Sequence, residues 1–533
     1  MDEAVEKLRA TYDAVPYESH AFPQSAPGHL AAIAYLFGMD VVDVSTARVL
    51  EIGCAAGGNL IPFAALHPDA QAVGVDLSSV QVAQGRLRVQ ALGLSNLDLL
   101  HGDVAAMDLA ALGEFDFIVC HGVYSWVPEN VQEAILSAVD TALAPGGVAY
   151  ISYNVYPGWK SKEIVRDAML LRAGDRTTPA EKLSYARGMI DFFEQVAPPD
   201  SVVAKALADY RTIAESVRES YILHEYLEAF NAPCYFLDFG KRTEPYRLTY
   251  LGDATIQTMF AKNYGEKIAT PLLQESGHSQ ILVEQYLDFF ANRTFRQTLL
   301  VHGDKAPRVT YNPEPGRMRR MHFAASLPPS DGETRLDGST QAYGSSGFTT
   351  QNSVVKATLA ALTERWPWTM PHSEVVNVVR SKLDSAGAVV PLDLESTVDK
   401  LLLQLVTGGV ARFRLGPVLP APTSTPLRLD ESLRRTAELA RDEGQSHFFN
   451  FWHETVWLSP ADLQVLPLLD GTRDRDALID EIVSLAEKDI LRVAGGGESQ
   501  ENHPRAVAAE YVDSLPDRLT EMKLIRIGDG RAH

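Results

Sequence analysis

VLEIGCAAGGN, residues 49–59, sets an apolar, β-rich run directly before a glycine-rich turn. Small residues in such a turn let the backbone approach a ligand, and the helix that follows offers free N–H groups. Working outward, residues 47–154 alternate short strands with helices. ARVLEIG (47–53), QAVGVDLS (71–78), LDLLHGD (97–103), FDFIVCHG (115–122) and GGVAYISYN (146–154) read as strands. Most are near-continuous apolar runs, as a parallel sheet covered on both faces requires. SSVQVAQGRLRVQALG (78–93) and NVQEAILSAVDTALAPGG (130–147) carry helical spacing. The first opens on Ser78 as a candidate N-cap and the second closes at a Pro-Gly-Gly stop. The alternation predicts an α/β, Rossmann-like, doubly wound domain.

A glycine-rich strand–turn–helix serves NAD or FAD as well as S-adenosylmethionine (SAM), so the turn alone does not choose a ligand. Three acids discriminate. Glu51 precedes the glycines, where a carboxylate suits a cationic amino group and is a poor neighbour for phosphate. Asp76 closes the second strand, where it can take both hydroxyls of a ribose. Asp103 closes the third, within reach of an exocyclic adenine amine. Asp76 or Asp103 taken singly reads equally well as a helix cap, and Glu51 as a solvated strand-end charge. In order and register, the set points to an adenosyl ligand that bears positive charge and no phosphate, which is SAM. The expected cofactor contacts are Glu51, Gly53, Cys54, Ala55, Gly57, Asn59, Asp76, Leu77, Asp103, Val104 and His121, with Cys54 as a small packing residue.

Only 8% of the chain is aromatic, yet the loops after strands four and five concentrate such residues. HGVYSWVP (121–128) supplies Tyr124 and Trp126, and SYNVYPGW (152–159) supplies Tyr153, Asn154, Tyr156 and Trp159. Each aromatic alone suits a core as well as a site. As a set at the ligand-binding edge of a sheet, they are the candidate catalytic pocket wall, able to hold a sulfonium or a methylated ammonium through cation–π contact.

The 48 Lys and Arg residues against 69 Asp and Glu leave a formal charge of −21 over 533 residues. So acidic a chain argues against a nucleic-acid backbone as main partner and is compatible with a lysine-rich protein. Ordinary proportions of hydrophobic (46%) and charged (22%) residues exclude wholesale disorder. Three cysteines without a CxxC exclude a disulfide scaffold and a cysteine-type zinc site. The expectation is a cytoplasmic protein with no membrane insertion and no metal, since the N-terminus lacks a signal-peptide pattern and no window approaches about 20 apolar residues. There is no GxxxxGK[ST] and no HExxH. RMRRMH (317–322) is a basic patch read as a solvated face or interdomain contact.

YDAVPYESHAFPQSAP (12–27), CHGVYSWVP (120–128), SYNVYPGW (152–159), HEYLEAFNAPCYF (224–236), NRTFRQTLLVH (292–302), FNFWHETVWL and LPLLDGTRDRDAL near 449–478 occur in that order. With EIGCAAG as the cofactor turn, the chain resembles class I SAM-dependent methyltransferases with a methyltransferase regulatory domain. It resembles in particular the rickettsial outer-membrane-protein lysine methyltransferases. Ala55 departs from the glycine usual at that point of the family's turn, which is tolerable with a negative φ. The resemblance implies a lid carrying Tyr12, Tyr17 and Ser19.

The expected organisation is a SAM-binding domain at 1–165, a helical regulatory domain at 166–310 and an irregular linker at 311–350. A winged-helix-like domain at 351–418 and a C-terminal helical domain at 427–533 follow, with GGGESQENHP (495–504) as a loop. The leading expectation is an N-methyltransferase for protein or peptide lysine side chains, the helical and C-terminal domains forming the acceptor cleft. A small-molecule N- or O-methyltransferase and a SAM-sensing regulator are the other readings.

Overall fold

The computed structural model describes residues 3–14, 19–176, 178–215, 219–344, 348–423, 425–491 and 504–528. Tyr17 and all but the last residue of 495–504 lie outside the described residues. The five strands expected from the sequence form as β1 (Arg48–Ile52), β2 (Gln71–Asp76), β3 (Leu97–His101), β4 (Phe115–Cys120) and β5 (Leu143–Asn154). All five run parallel. Two further strands, β6 (Leu248–Asp253) and β7 (Phe295–His302), complete a seven-stranded sheet in the order β3-β2-β1-β4-β5-β7-β6. β7 is antiparallel to both of its neighbours.

Alternate residues of each strand feed two separate cores. Val49, Val119, Tyr150 and Leu299 point into one, and Leu50, Ile118, Ile151 and Leu300 into the other. This two-sided burial is why the strands lack a polar face. Helices α2 (Pro27–Leu36), α3 (Leu60–Leu66) and α4 (Ser79–Leu92) pack in the first core, while α5 (Glu129–Ala142) and Val5 of α1 (Glu3–Ala14) pack in the second. Ser78 caps α4, its hydroxyl accepting from Gln81 N at 3.2 Å. The first core then runs on without a break into residues between 318 and 525, so the C-terminal half shares apolar burial with the sheet.

Between β5 and β6 the chain inserts α6 (Gly158–Ala173), α7 (Pro179–Val196), α8 (Val202–Ala214), α9 (Glu219–Tyr226) and α10 (Phe236–Thr243). Helices α6 to α9 close over their own small core, which includes Met169, Ala186, Leu207 and Tyr226. The sequence reading expects a helical domain at 166–310, and the structure adds two strands to it, β6 and β7. VEQYLDFF lies within the helix Gln280–Phe290, but Asn292 turns the chain with φ +46 and FRQTLLVH becomes a strand. Its apolar run TLLV fits a buried helix and a buried strand equally, so periodicity could not separate them.

The stretch read as a linker, 311–350, also does more than connect. Met318, Met321 and Phe323 are fully buried, and His322–Ala324 forms the centre strand of a three-stranded sheet with Met370–Pro371 and Arg412–Arg414. Its abundance of Pro, Gly and Ser marks turns and masked these few apolar anchors. Three helices, Ser353–Arg365, His372–Ser385 and Leu394–Thr407, flank this small sheet. Among the described residues no helix is long and apolar enough to cross a membrane.

β7 is fixed by a buried charge cluster. Arg296 is fully enclosed and donates to Asp288 Oδ2 at 2.8 Å, to Asp288 Oδ1 at 2.9 Å and to Glu284 Oε2 at 2.9 Å. Removing one member of such a cluster strands the others in a medium that solvates charge poorly. Arg296→Met is therefore expected to destabilise the protein by about 3–5 kcal/mol, read as a lowered denaturation midpoint of the unit that contains the sheet.

Candidate active site

The carboxyl ends of β1 to β5 open onto a single cavity of about 410 Å³. Glu51, Gly53, Cys54, Ala55, Asn59, Asp76, Leu77, Asp103, Val104 and His121 all line it, as does Ser19. Gly57 stands behind the turn: its φ is +77 and its N–H donates to Cys54 O at 2.8 Å, so it shapes the loop from outside the cavity.

Glu51 is 3% exposed. Its Oε1 accepts from Asn59 Nδ2 at 2.9 Å, while its buried Oε2 has no hydrogen-bond partner. Desolvation pushes the carboxyl up to about 8, with the Asn59 bond pulling it down and nearby Asp76 pushing it further up. A buried acid with one idle oxygen on a cavity wall is matched by a cationic donor. Asp76 is already bonded twice: Oδ2 accepts from Ala55 N and Oδ1 from Ser78 N, each at 2.8 Å. An ionised carboxylate has about four lone-pair sites, so capacity remains for hydroxyl groups. Burial raises its carboxyl too. Asp103 Oδ1 accepts from Ala105 N at 2.9 Å, combining a turn-capping role with its place on the wall.

Ala55 corrects the expectation of a negative φ. It adopts φ +48, in the left-handed region, where its N–H meets Asp76. That conformation costs an alanine roughly 1–2 kcal/mol, and the bond to Asp76 holds it there. Gly58 N donates to Ser19 Oγ at 2.7 Å, and a Cβ on Gly58 would fall 2.2 Å from Ser19 O. Only a glycine lets the segment after α1 lie so close over the turn. Helix α1 is tied in at Asp13, which accepts from Ser78 Oγ at 2.6 Å, and Tyr12 stacks on His224 of α9 with ring centroids 5.6 Å apart.

The loops after β4 and β5 divide between site and core. Trp126, Asn154 and Trp159 line the cavity. Trp159 is fully buried with its ring edge-on to Trp126 at 6.0 Å, and its Nε1 has no acceptor. Tyr124, Tyr153 and Tyr156 are not brought to the cavity. Tyr124 and Tyr153 pack instead on Phe239 of α10, at 5.4 and 4.0 Å between ring centroids, and Tyr153 shares a 2.9 Å hydrogen bond with Thr298. Tyr156 lies outside, donating to Glu163 at 2.6 Å with Lys160 over its ring. Burial by an element distant in sequence drew Tyr124 and Tyr153 away. His121 is paired with Tyr150 OH at 2.8 Å through Nδ1 and lies against Phe22, and burial lowers its pKa to about 4. It is neutral near pH 7.

Sequence reasoning assigned no role to several lining residues of the inserted segment and β7, namely Lys162, Tyr221, His224, Glu225, Thr294 and Phe295. Four of them sit in HEYLEAFNAPCYF and NRTFRQTLLVH, stretches that stood out without a stated chemistry. Lys162 Nζ lies 3.1 Å from Glu225 Oε1 and 4.8 Å from the centre of the Trp159 ring. Among the described residues no group of His, Cys, Asp and Glu is placed to hold a metal.

Residues 49–147 match the family model described as a methyltransferase domain. Residues 218–302 match a predicted methyltransferase regulatory domain, and 432–524 a PKMT C-terminal winged helix domain. The chain is 31% identical over 503 residues to the uncharacterized protein RP789 of Rickettsia prowazekii, covering 92% of this chain and 89% of that one. Its fold matches PKMT2 from Rickettsia typhi in complex with AdoHcy, with a TM-score of 0.83 and 26% identity over 96% of this chain and 100% of the other. The chain belongs to this family of SAM-dependent methyltransferases.

The methyltransferase thus has SAM as its cofactor, and the idle oxygen of Glu51 fits the amino group that SAM carries. The winged-helix match falls on 432–524, C-terminal to the three-helix unit at 353–407 that the sequence reading described in those terms. The regulatory-domain match covers α9, α10, the helices Glu266–Glu275 and Gln280–Phe290, and the strands β6 and β7, so part of it belongs to the catalytic sheet.

Two outcomes are expected. Binding a cation beside Glu51 favours its ionised form, so at pH values below about 8 binding expels a proton. Cofactor affinity should therefore rise with pH by up to about tenfold per unit between roughly pH 5.5 and 7, below the range where an α-amino group titrates. Calorimetry in buffers of different ionisation heat measures the proton, and Glu51→Gln should weaken binding and flatten the profile. Ala55→Gly should leave affinity intact and raise unfolding free energy by up to about 1 kcal/mol, measured by thermal denaturation.

Proposed function

We propose that this methyltransferase acts on lysine side chains of a protein or peptide. The observation that carries the reading is that the cavity already holds an alkylammonium. Lys162 Nζ sits against the Glu225 carboxylate and over the face of Trp159, in the same cavity as Glu51 and Asp76. A carboxylate and an indole face are the groups an incoming lysine would use.

Sheet order supports a division of labour. Glu51, Asp76 and Asp103 come from β1 to β3, and Trp126, Asn154, Trp159 and Glu225 from the β4 and β5 loops and the insertion. The first group holds the cofactor, which supplies a methyl group on a positively charged sulfur. The second receives the acceptor. A free lysine amine has a pKa near 10.4 and must lose a proton before it can act as a nucleophile. Enclosure by Trp126 and Trp159 disfavours the charged form, and neutral His121 adds no competing cation. Asn154 Nδ2 donates to Asn231 Oδ1 at 2.9 Å, which joins the end of β5 to the segment after α9 and keeps the acceptor wall in register. The acidic chain favours encounter with a basic acceptor.

Methyl-labelled SAM incubated with a dialysed cell extract and, separately, with its small-molecule filtrate tests the reading. Label is expected in the protein fraction as acid-stable methyl-lysine. Label confined to the filtrate would overturn the lysine assignment in favour of a metabolite acceptor. Trp159→Ala should cut kcat/KM for the labelled acceptor at least about tenfold while leaving cofactor affinity within about threefold.

A further inference from the structure

The C-terminal region reaches Asn59, a residue of the cavity wall, through a turn within the stretch FNFWHETVWL (449–458), to which no role has been given so far. Asn450 builds the turn. Its Oδ1 accepts from Trp452 N at 2.9 Å and Glu454 N at 3.1 Å, and its Nδ2 donates to Met522 O at 3.1 Å. Trp452 is buried beneath and donates from Nε1 to Pro367 O at 3.0 Å. His453 is held between them in the left-handed region, with φ +59.

From this position His453 Nε2 lies 2.8 Å from Asn59 Oδ1. The same oxygen accepts from Phe22 N at 3.0 Å, which fixes which way the amide faces. Asn59 Nδ2 is thereby turned toward Ser25 Oγ at 3.1 Å and Glu51 Oε1 at 2.9 Å. Because Asn59 Oδ1 can only accept, His453 must carry its proton on Nε2. The ring is a constant donor: desolvation, with Arg414 and His67 facing it, lowers its pKa to about 3. A second grip lies alongside. Thr455 Oγ1 donates to Ala21 O at 3.1 Å, next to Phe22, whose ring stacks against His121.

We propose that His453 is a positioning residue for the cofactor: by holding the Asn59 amide it aims the Glu51 carboxyl, so that the C-terminal region completes the SAM site. A hydrogen-bonded path then joins two parts of the chain separated by 394 residues, and undocking the C-terminal region would loosen the cofactor. The inference rests on Glu51 receiving the amino group and is independent of the acceptor.

Titration calorimetry of the full-length protein with S-adenosylhomocysteine, repeated from about pH 5.5 to 7, tests it. His453→Ala removes the donor. His453→Asn keeps a residue that tolerates positive φ but falls short of Asn59, and His453→Gln restores an amide donor with comparable reach. The Ala and Asn variants are expected to bind about three- to tenfold more weakly, the worth of one hydrogen bond. Gln should recover most of the loss. The Asn59 bond lowers the Glu51 pKa, so loosening it should also move the pH profile upward. Asp76, which faces Glu51, titrates in every variant alike; Cys54, Cys120 and Tyr150 nearby are pushed up by burial and stay neutral. In a Glu51→Gln background His453→Ala should add little. Unchanged affinity and pH profile in the Ala and Asn variants would overturn the proposal. So would equal losses in all three, or full additivity with Glu51→Gln. Normal binding by Glu51→Gln alone would instead overturn the Glu51 assignment.

Discussion

A carboxyl group closed inside a protein with one oxygen unbonded is a costly arrangement, and Glu51 is that group here. It stands at the end of β1, inside the sheet, where burial pushes its carboxyl up and the neighbouring charge of Asp76 pushes it further. The protein tolerates this by keeping the proton on until a cation arrives. Much else in the site follows. Asn59 must present its amide nitrogen to Glu51, so its oxygen must be satisfied from elsewhere, and Phe22 and His453 converge to do so.

Sheet topology then separates the two jobs of the cavity. The strand order puts β1 to β3 on one side and β4 and β5 on the other, and the insertion after β5 adds α6 and α9 to the second side. The cofactor half is built mainly of carboxyls bonded to backbone N–H groups. The other half is built of indoles, an asparagine pair and the Lys162–Glu225 contact. Under the proposed reading, one cavity holds a sulfonium-bearing ligand and an amine side by side without either half imitating the other.

What could be read in the sequence follows how locally each feature is determined. The turn, the three strand-end acids and the cap at Ser78 depend on residues a few positions apart, and all of them stand where they were expected. The backbone of Ala55 did not follow, because its positive φ is imposed by Asp76 on the next strand. The aromatic loops were half legible. Trp126 and Trp159 face the cavity, but Phe239, on a helix far along the chain, claims Tyr124 and Tyr153 for the core. Glu225 and His453 lie in stretches that stood out, but nothing local gave them or Lys162 a role, since that role lies in tertiary contacts.

The inserted helices have a consequence for how the chain is assembled. β5 emerges early and is flanked on one side by β4, yet its other neighbour, β7, is made only after the whole of α6 to α10. Until His302 has been synthesised, a long apolar strand with a row of unsatisfied backbone groups stands open, the kind of surface that captures other chains. The stretch that matches a regulatory domain thus supplies the strand that covers this edge of β5. A piece of this protein that contains every strand of its catalytic sheet must therefore run at least through residue 302.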